Sequence, residues 1–314
     1  MGRLGGGRQS VSAMPKVPCP KQWHSVADQL AKLSSRGLVI ADPDAAATFL
    51  RHINYYCFTG YGLVFEQPRH TYIVGTTFEQ IRQTYEFDRA LRDLFTESIE
   101  LIELDLRTTL AHTFGELHGA FGHSDAAKFY DSSRHAQWLA KIREETQRSS
   151  DLFISHHRDK YLEFPDVPIW VAVEIMSFGS LSNFYRSLAK EDQKRVSSRY
   201  GLQPRTLGSW IHHLVYVRNL CAHHARLWDR LWSIKPDLPA GNVWAPPSVP
   251  GNSHLFASLL IQSTMLRPIA PENAFITAWR GRVENLITNR LPACPDALNK
   301  MGLPANWPIH PLWK

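Results

Sequence analysis

The chain has 314 residues, 35 Lys and Arg against 29 Asp and Glu, a formal net charge of +6, and fifteen His. A hydrophobic fraction of 44% excludes a disordered chain, and no apolar run nears the ~18 residues needed to cross a membrane. Four scattered cysteines (Cys19, Cys57, Cys221, Cys294) without a CxxC pair exclude a disulfide framework, so a reducing cytoplasmic setting is expected, and the moderate positive balance suits a polyanionic partner.

Residues 1–20 read as a basic, glycine-rich tail with nothing to bury. Lys21 to Ser34 reads as helix. Asp42-Pro43-Asp44 has the proline and acids of a helix start, predicting a helix that carries Ala45 to Tyr56 until Gly60 and Gly62 end it. The aromatics of Tyr55-Tyr56-Cys57-Phe58 and Tyr61 are dense enough to predict core rather than a base-stacking surface. Thr77-Phe78-Glu79-Gln80 fits a capping box. It opens a long helix on which Phe87, Leu91, Leu94, Phe95, Ile99, Ile102, Leu106 and Leu110 recur at steps of three and four. Asp88, Arg89, Arg92, Glu97, Glu100, Glu103 and Arg107 are assigned to its charged face, as a stabilising ion network in which Glu103 and Arg107 pair.

Residues 118–135 read as loop, followed by a polar helix from Ser133 to about Tyr161 and breaks at Pro165 and Pro168. An apolar helix covers Ile169 to Met176, residues 177–182 bend it, and Asn183 to Leu188 continue it. Residues 204–231, free of proline and glycine after Gly208, read as one further helix with Trp210, Leu214 and Val217 facing the core. Prolines dominate after Lys235, then helices are predicted over 253–266 and 272–289, with the aromatic end packing back. The fold class is all-α. The expected organisation is a tail (1–20), a helical body (21–235), and a proline-rich segment with C-terminal helices packed on it (236–314).

The stretch from Tyr216 to Arg230 carries the chemistry. Arginine grips phosphate through bidentate hydrogen bonds, and histidine exchanges protons near neutral pH. On a continuous helix Asn219 and His223 lie about 40° apart on one face, while Arg218 lies about 140° from His223 and must curl toward it. Arg218 and His223 are the candidate catalytic pair, Asn219 and His224 the supporting residues, and Arg226 and Arg230 the candidate RNA-backbone contacts. An Arg and a His five apart also occur on ordinary polar helix faces. A metal hydrolase built on His212, His213, His223 and His224 is disfavoured, because doublets so far apart on one helix cannot wrap one ion; no metal and no cofactor are expected.

Several segments in order resemble the Abi family of bacterial abortive-infection proteins, of the AbiD/AbiF type. They are Ile53-Asn54-Tyr55-Tyr56 with Gly60-Tyr61, Tyr85-Glu86-Phe87-Asp88-Arg89 with Leu91-Arg92, and Ile99-Glu100-Leu101-Ile102-Glu103 with Leu106-Arg107. Pro168-Ile169-Trp170, Ser177-Phe178-Gly179-Ser180-Leu181-Ser182 and Met301-Gly302-Leu303-Pro304-Ala305-Asn306-Trp307 also match. The most specific is Val217-Arg218-Asn219-Leu220-Cys221-Ala222-His223-His224 with Arg226-Leu227-Trp228. Cys57-Phe58-Thr59 departs from the arginine-containing stretch the family pattern leads one to expect. The resemblance implies a HEPN-like helical bundle with additional N- and C-terminal helices. It implies metal-independent endoribonuclease activity through an Arg-x4-His motif, here Arg218 and His223, in a composite site at the interface of a homodimer. It also implies RNA as substrate, with a structured non-coding RNA or an antitoxin as further partners. The competing expectation is an RNA-binding protein of the same fold that does not cut.

Overall fold

The computed structural model describes residues 18–19, 21–269 and 274–314; the glycine-rich tail, apart from Pro18 and Cys19, lies outside them. Thirteen α-helices and short 3-10 turns make up its regular structure, with three isolated bridges and no strand among the described residues. The all-α class is therefore met. Two units divide the chain, one ending at Phe78 and one from Glu79 onward.

In the first unit, α1 (Val26–Ser35) starts on a reciprocal capping box between Ser25 and Asp28. The next helix is shorter than expected and is followed by a separate one. α2 (Pro43–His52) opens on Asp42, whose carboxylate accepts from Ala45 N at 2.9 Å, and stops at Ile53. Asn54 then accepts from Tyr56 N at 2.8 Å and starts α3 (Tyr55–Gly62). The asparagine makes the break: its side chain offers the backbone an amide partner outside the helical ladder. Phe58 and Tyr61 are buried as expected, and the Phe58 ring stacks on Phe78 at 4.3 Å, whereas Tyr56 is exposed.

The second unit is organised by α4 (Phe78–His118), 41 residues long. Its row of apolar residues is almost fully buried, from Phe87 through Leu110. Asp88 and Arg92 correct the sequence reading. They are not on the charged face but 0% and 4% exposed, paired at 2.6 Å. Later helices fasten to α4 through specific polar contacts. Trp279 Nε1 donates to the Leu94 carbonyl at 2.9 Å, Ser98 bonds Gln262, and Asp105 accepts from Arg199 and Tyr200.

The polar helix expected from Ser133 to Tyr161 is two helices, α5 (Ser132–Arg148) and α6 (Leu152–Lys160). Ser149 and Asp151 bond each other at the break, again diverting the backbone from helix. α7 (Ile169–Ile175) and α8 (Phe178–Ser187) are separated where Ser177 caps α8 through Ser180 N. α9 (Lys190–Ser198) was not predicted, and α10 (Pro204–Ala222) packs against α8 and α9. α11 (Leu255–Leu266) is buried on every side except at Thr264, and its buried polar residues Ser258, Gln262 and Ser263 are all hydrogen-bonded. α12 (Ala274–Arg290) packs on α11, and α13 (Ala297–Lys300) precedes an aromatic end in which Trp307 and Trp313 are buried. No described helix is long and apolar enough to cross a membrane.

Candidate functional site

α10 begins with Pro204 in its first turn and buries Leu207, Trp210, Ile211, Leu214, Val217 and Cys221. It does not continue to residue 231. His223 N–H donates to the Asn219 carbonyl at 3.0 Å, His224 N–H to Cys221 at 3.0 Å, and Ala225 N–H to Leu220 at 2.9 Å. The last two bonds form a Schellman closure, with His224 in the left-handed conformation at φ +54°. Glycine usually fills that position, and histidine is among the residues that tolerate it.

The chain is then held away from the helix path by Asp88. Its carboxylate accepts from Trp228 N at 2.8 Å and from Leu227 N at 3.1 Å, and Leu227 and Trp228 are completely buried. A buried carboxylate that receives two backbone amides and an arginine satisfies buried donors of the loop that follows the helix. The motif therefore sits on a helix end locked by α4 rather than in the middle of a helix.

The end geometry separates the candidate residues. Arg218 is half-buried, with Nη2 3.7 Å from Glu103 Oε2 and Nη1 donating to Asn219 Oδ1 at 3.3 Å. Glu103 is itself paired with Arg107, as the sequence predicted, and Arg107 also donates to the Val173 carbonyl. The Arg218 guanidinium is thus positioned by a chain of contacts that runs back to α7. It opens on a cleft of about 500 Å³ shared with Tyr85, Arg89, Arg92, Asp93 and His224. Among these, three arginines face one exposed aspartate, and Arg92 is compensated beneath by Asp88.

His223 is exposed at the helix cap beside this cleft and is not part of its lining, whereas His224 is. Asn219 is exposed one turn below His223. Cys221 forms part of the cleft wall, and burial pushes its thiol up to about 12, so it is neutral and no nucleophile at physiological pH. Arg226 and Arg230 line no part of the cleft. Arg226 lies 2.9 Å from Asp229, and Arg230 Nε donates to the Arg226 carbonyl at 2.7 Å, so both brace the loop after the helix. Burial raises the Asp229 pKa against the pull of Arg226.

The second histidine doublet is elsewhere in purpose. His213 is buried with both ring nitrogens engaged at 2.7 Å, by the Ile234 carbonyl and the Ser258 hydroxyl, and burial pulls it down to about 4. It has no lone pair left to turn toward an ion. Among the described residues no group of three or more His, Cys, Asp or Glu has a metal-holding arrangement.

Sequence reasoning missed the clamp by Asp88 and the support of Arg218 by Glu103. A signal was present for the first. Asp88 falls at the same helical angle as Phe95, Ile99, Ile102 and Leu106, in the middle of the apolar arc.

The molecule is thus an all-α protein with an arginine-lined cleft where α4 meets the locked end of an Arg- and His-bearing helix. Residues 48–229, more than half of the chain, match the family described as Abi-like protein, and the chain belongs to that family. The matched span contains every residue of the cleft and of the Asp88 clamp. No curated protein and no solved structure gives a significant match.

Proposed function

We propose that the protein is a metal-independent endoribonuclease of the HEPN type acting in abortive infection. The observation that carries this reading is the placement of Arg218. Two acceptors, Glu103 and Asn219, aim it at a cationic cleft next to an exposed histidine cap. A scissile RNA phosphate in the cleft would take charge-assisted hydrogen bonds from Arg218 and Arg89, which strengthen as negative charge builds in the transition state. Attack by the ribose 2′-hydroxyl needs one base and one acid. His223 supplies one role. The His223 of a second copy, brought up in an isologous dimer around the end of α10, supplies the other.

A specific observation favours a second assignment of the proton-transfer role. His224 lines the cleft with Arg218, and His223 does not. If one subunit supplies both groups, His224 is the acid or base on the cleft side and the composite dimer is unnecessary.

The experiment is cleavage of a fluorescent single-stranded RNA 30-mer by Arg218→Ala, His223→Ala and His224→Ala proteins. Loss in the first two, with unchanged melting temperatures, supports the pair. Full cleavage by a folded His223→Ala protein overturns it. Light scattering on the active species decides between the composite and the single-subunit site.

A further inference from the structure

A second cationic cavity, of about 440 Å³, lies at the other end of α10. Its walls include Arg186 of α8, Arg205 and His212 of α10, and Lys235 and Asp237 of the segment that follows. Three permanent cations, all exposed, face one carboxylate. Arg205 is 3.2 Å from that carboxylate, and Arg186 donates to His212 Nδ1 at 3.3 Å. Gly208 lets α8 approach α10 closely beneath the cavity, since a Cβ there would meet the Tyr185 ring at 3.3 Å and the Arg186 stem at 3.7 Å. Burial, and then the Arg186 charge, depress the pKa of His212. Among the described residues that line it, the cavity therefore sets three cations against a single carboxylate.

A cluster of exposed cations alone is usually a solvated surface. The difference here is its connection to the candidate catalytic end. Arg205, Ser209, His212, Tyr216, Asn219 and His223 follow one another at steps of four and three, so they form one row along α10. All six are at least partly exposed. The row spans about 27 Å at 1.5 Å per residue. That is room for about eight nucleotides of a stacked strand at ~3.4 Å each, and fewer of an extended one.

We propose that this cavity is a phosphate subsite for single-stranded RNA, holding the strand several nucleotides from the scissile bond so that it runs along the Arg205–His223 row. The inference rests on reading the His223 end as the cutting end. It extends that reading from a scissile bond to a track with direction and length.

The test uses full-length His223→Ala protein, which keeps the RNA intact, and fluorescein-labelled oligouridylates of three and ten nucleotides. Arg186→Gln with Lys235→Gln should weaken the ten-mer at least about tenfold, as expected for two lost charge-assisted contacts. The log–log salt dependence should fall by about 1.4, at ~0.7 per single-strand phosphate contact. The advantage of the ten-mer over the trimer should collapse with it. Lys141→Gln with Arg148→Gln on α5 removes the same charge elsewhere and should leave that advantage in place. Unchanged ten-mer affinity in the cavity variant, or equal loss in the α5 control, overturns the proposal. A second readout does not depend on the cavity variant folding. The ten-mer should raise the titration midpoint of the His212 imidazole by NMR, and an unmoved midpoint at saturation overturns the subsite. Cleavage by the protein without substitutions is scored separately. A failed nuclease reading appears there as absent products, while a failed subsite appears only in the binding and NMR data.

Discussion

Asp88→Asn is the substitution that most sharply tests how the site is held. The Asp88 carboxylate accepts from Leu227 N, Trp228 N and Arg92 Nη1, and it is completely buried. Asparagine keeps the shape but turns one acceptor into a donor facing donors, and it removes the charge that Arg92 answers. Leaving buried donors poorly satisfied costs roughly 1–3 kcal/mol, and weakening a buried ion pair costs up to about 3–5 kcal/mol. A net loss of about 2–4 kcal/mol is expected, which is about 5–15 °C in melting temperature for a unit of this size. The loss should be local first. The loop from Ala225 to Arg230 should open, and trypsin should cut after Arg226 and Arg230 in the variant at concentrations that spare the parent protein. Calorimetry and mass mapping of the tryptic fragments read both effects. An Asp88→Asn protein with an unchanged melting temperature and a protected loop would refute the clamp.

Three further outcomes are expected. His123 and His213 are both pulled down by burial, to about 4, from the ordinary 6.5. The unfolded chain therefore binds more protons between those values, so stability is full above about pH 6.5 and falls as the pH drops toward 4. The slope reaches roughly 2.7 kcal/mol per pH unit for the two together, and urea titrations across that range measure it. Stability that is flat from pH 6.5 to 4.5 would contradict the buried neutral assignment. His224→Gly relieves a left-handed φ and should stabilise by about 0.5–1 kcal/mol, so a lower melting temperature would contradict the Schellman closure. Glu103→Gln should leave the fold intact but release Arg218, and RNA cleavage should drop about tenfold or more, as for a lost positioning contact. Rescue is not expected from Arg218→Lys, which cannot make the planar bidentate contact.

Much of the fold was legible because its helices carry strong local signals. The spacing of Phe87 to Leu110 announced α4, the apolar run from Leu255 announced α11, and Asp42-Pro43 announced α2. The breaks were less legible. Asn54 and Ser149 bond the backbone or side chain two residues on and so set the breaks in stretches whose periodicity alone reads straight through. The end of α10 was hidden for a different reason. No glycine marks it, and the force that redirects the chain comes from Asp88, about 140 residues earlier. The same long-range bonds are what make the burial of the charged Asp88 and Arg92 tolerable, which charge alone argues against. Around the cleft, the motif drew attention to Arg218, Asn219, His223 and His224, of which Arg218 and His224 line it, and spacing gave the Glu103–Arg107 pair without its contact to Arg218. The braced positions of Arg226 and Arg230 depend on loop geometry that spacing does not encode.

In the proposed function, Arg218 and a histidine at the end of α10 drive attack by a ribose 2′-hydroxyl. The most direct measurement is product-end analysis of an RNA 30-mer, compared with the same strand carrying a single 2′-deoxy nucleotide at the mapped cut, both in the presence of chelator. A 2′,3′-cyclic phosphate on the upstream fragment and no cleavage at the deoxy position are the expected results. Cleavage of the deoxy strand at an undiminished rate, or abolition of cutting by the chelator, would contradict this mechanism.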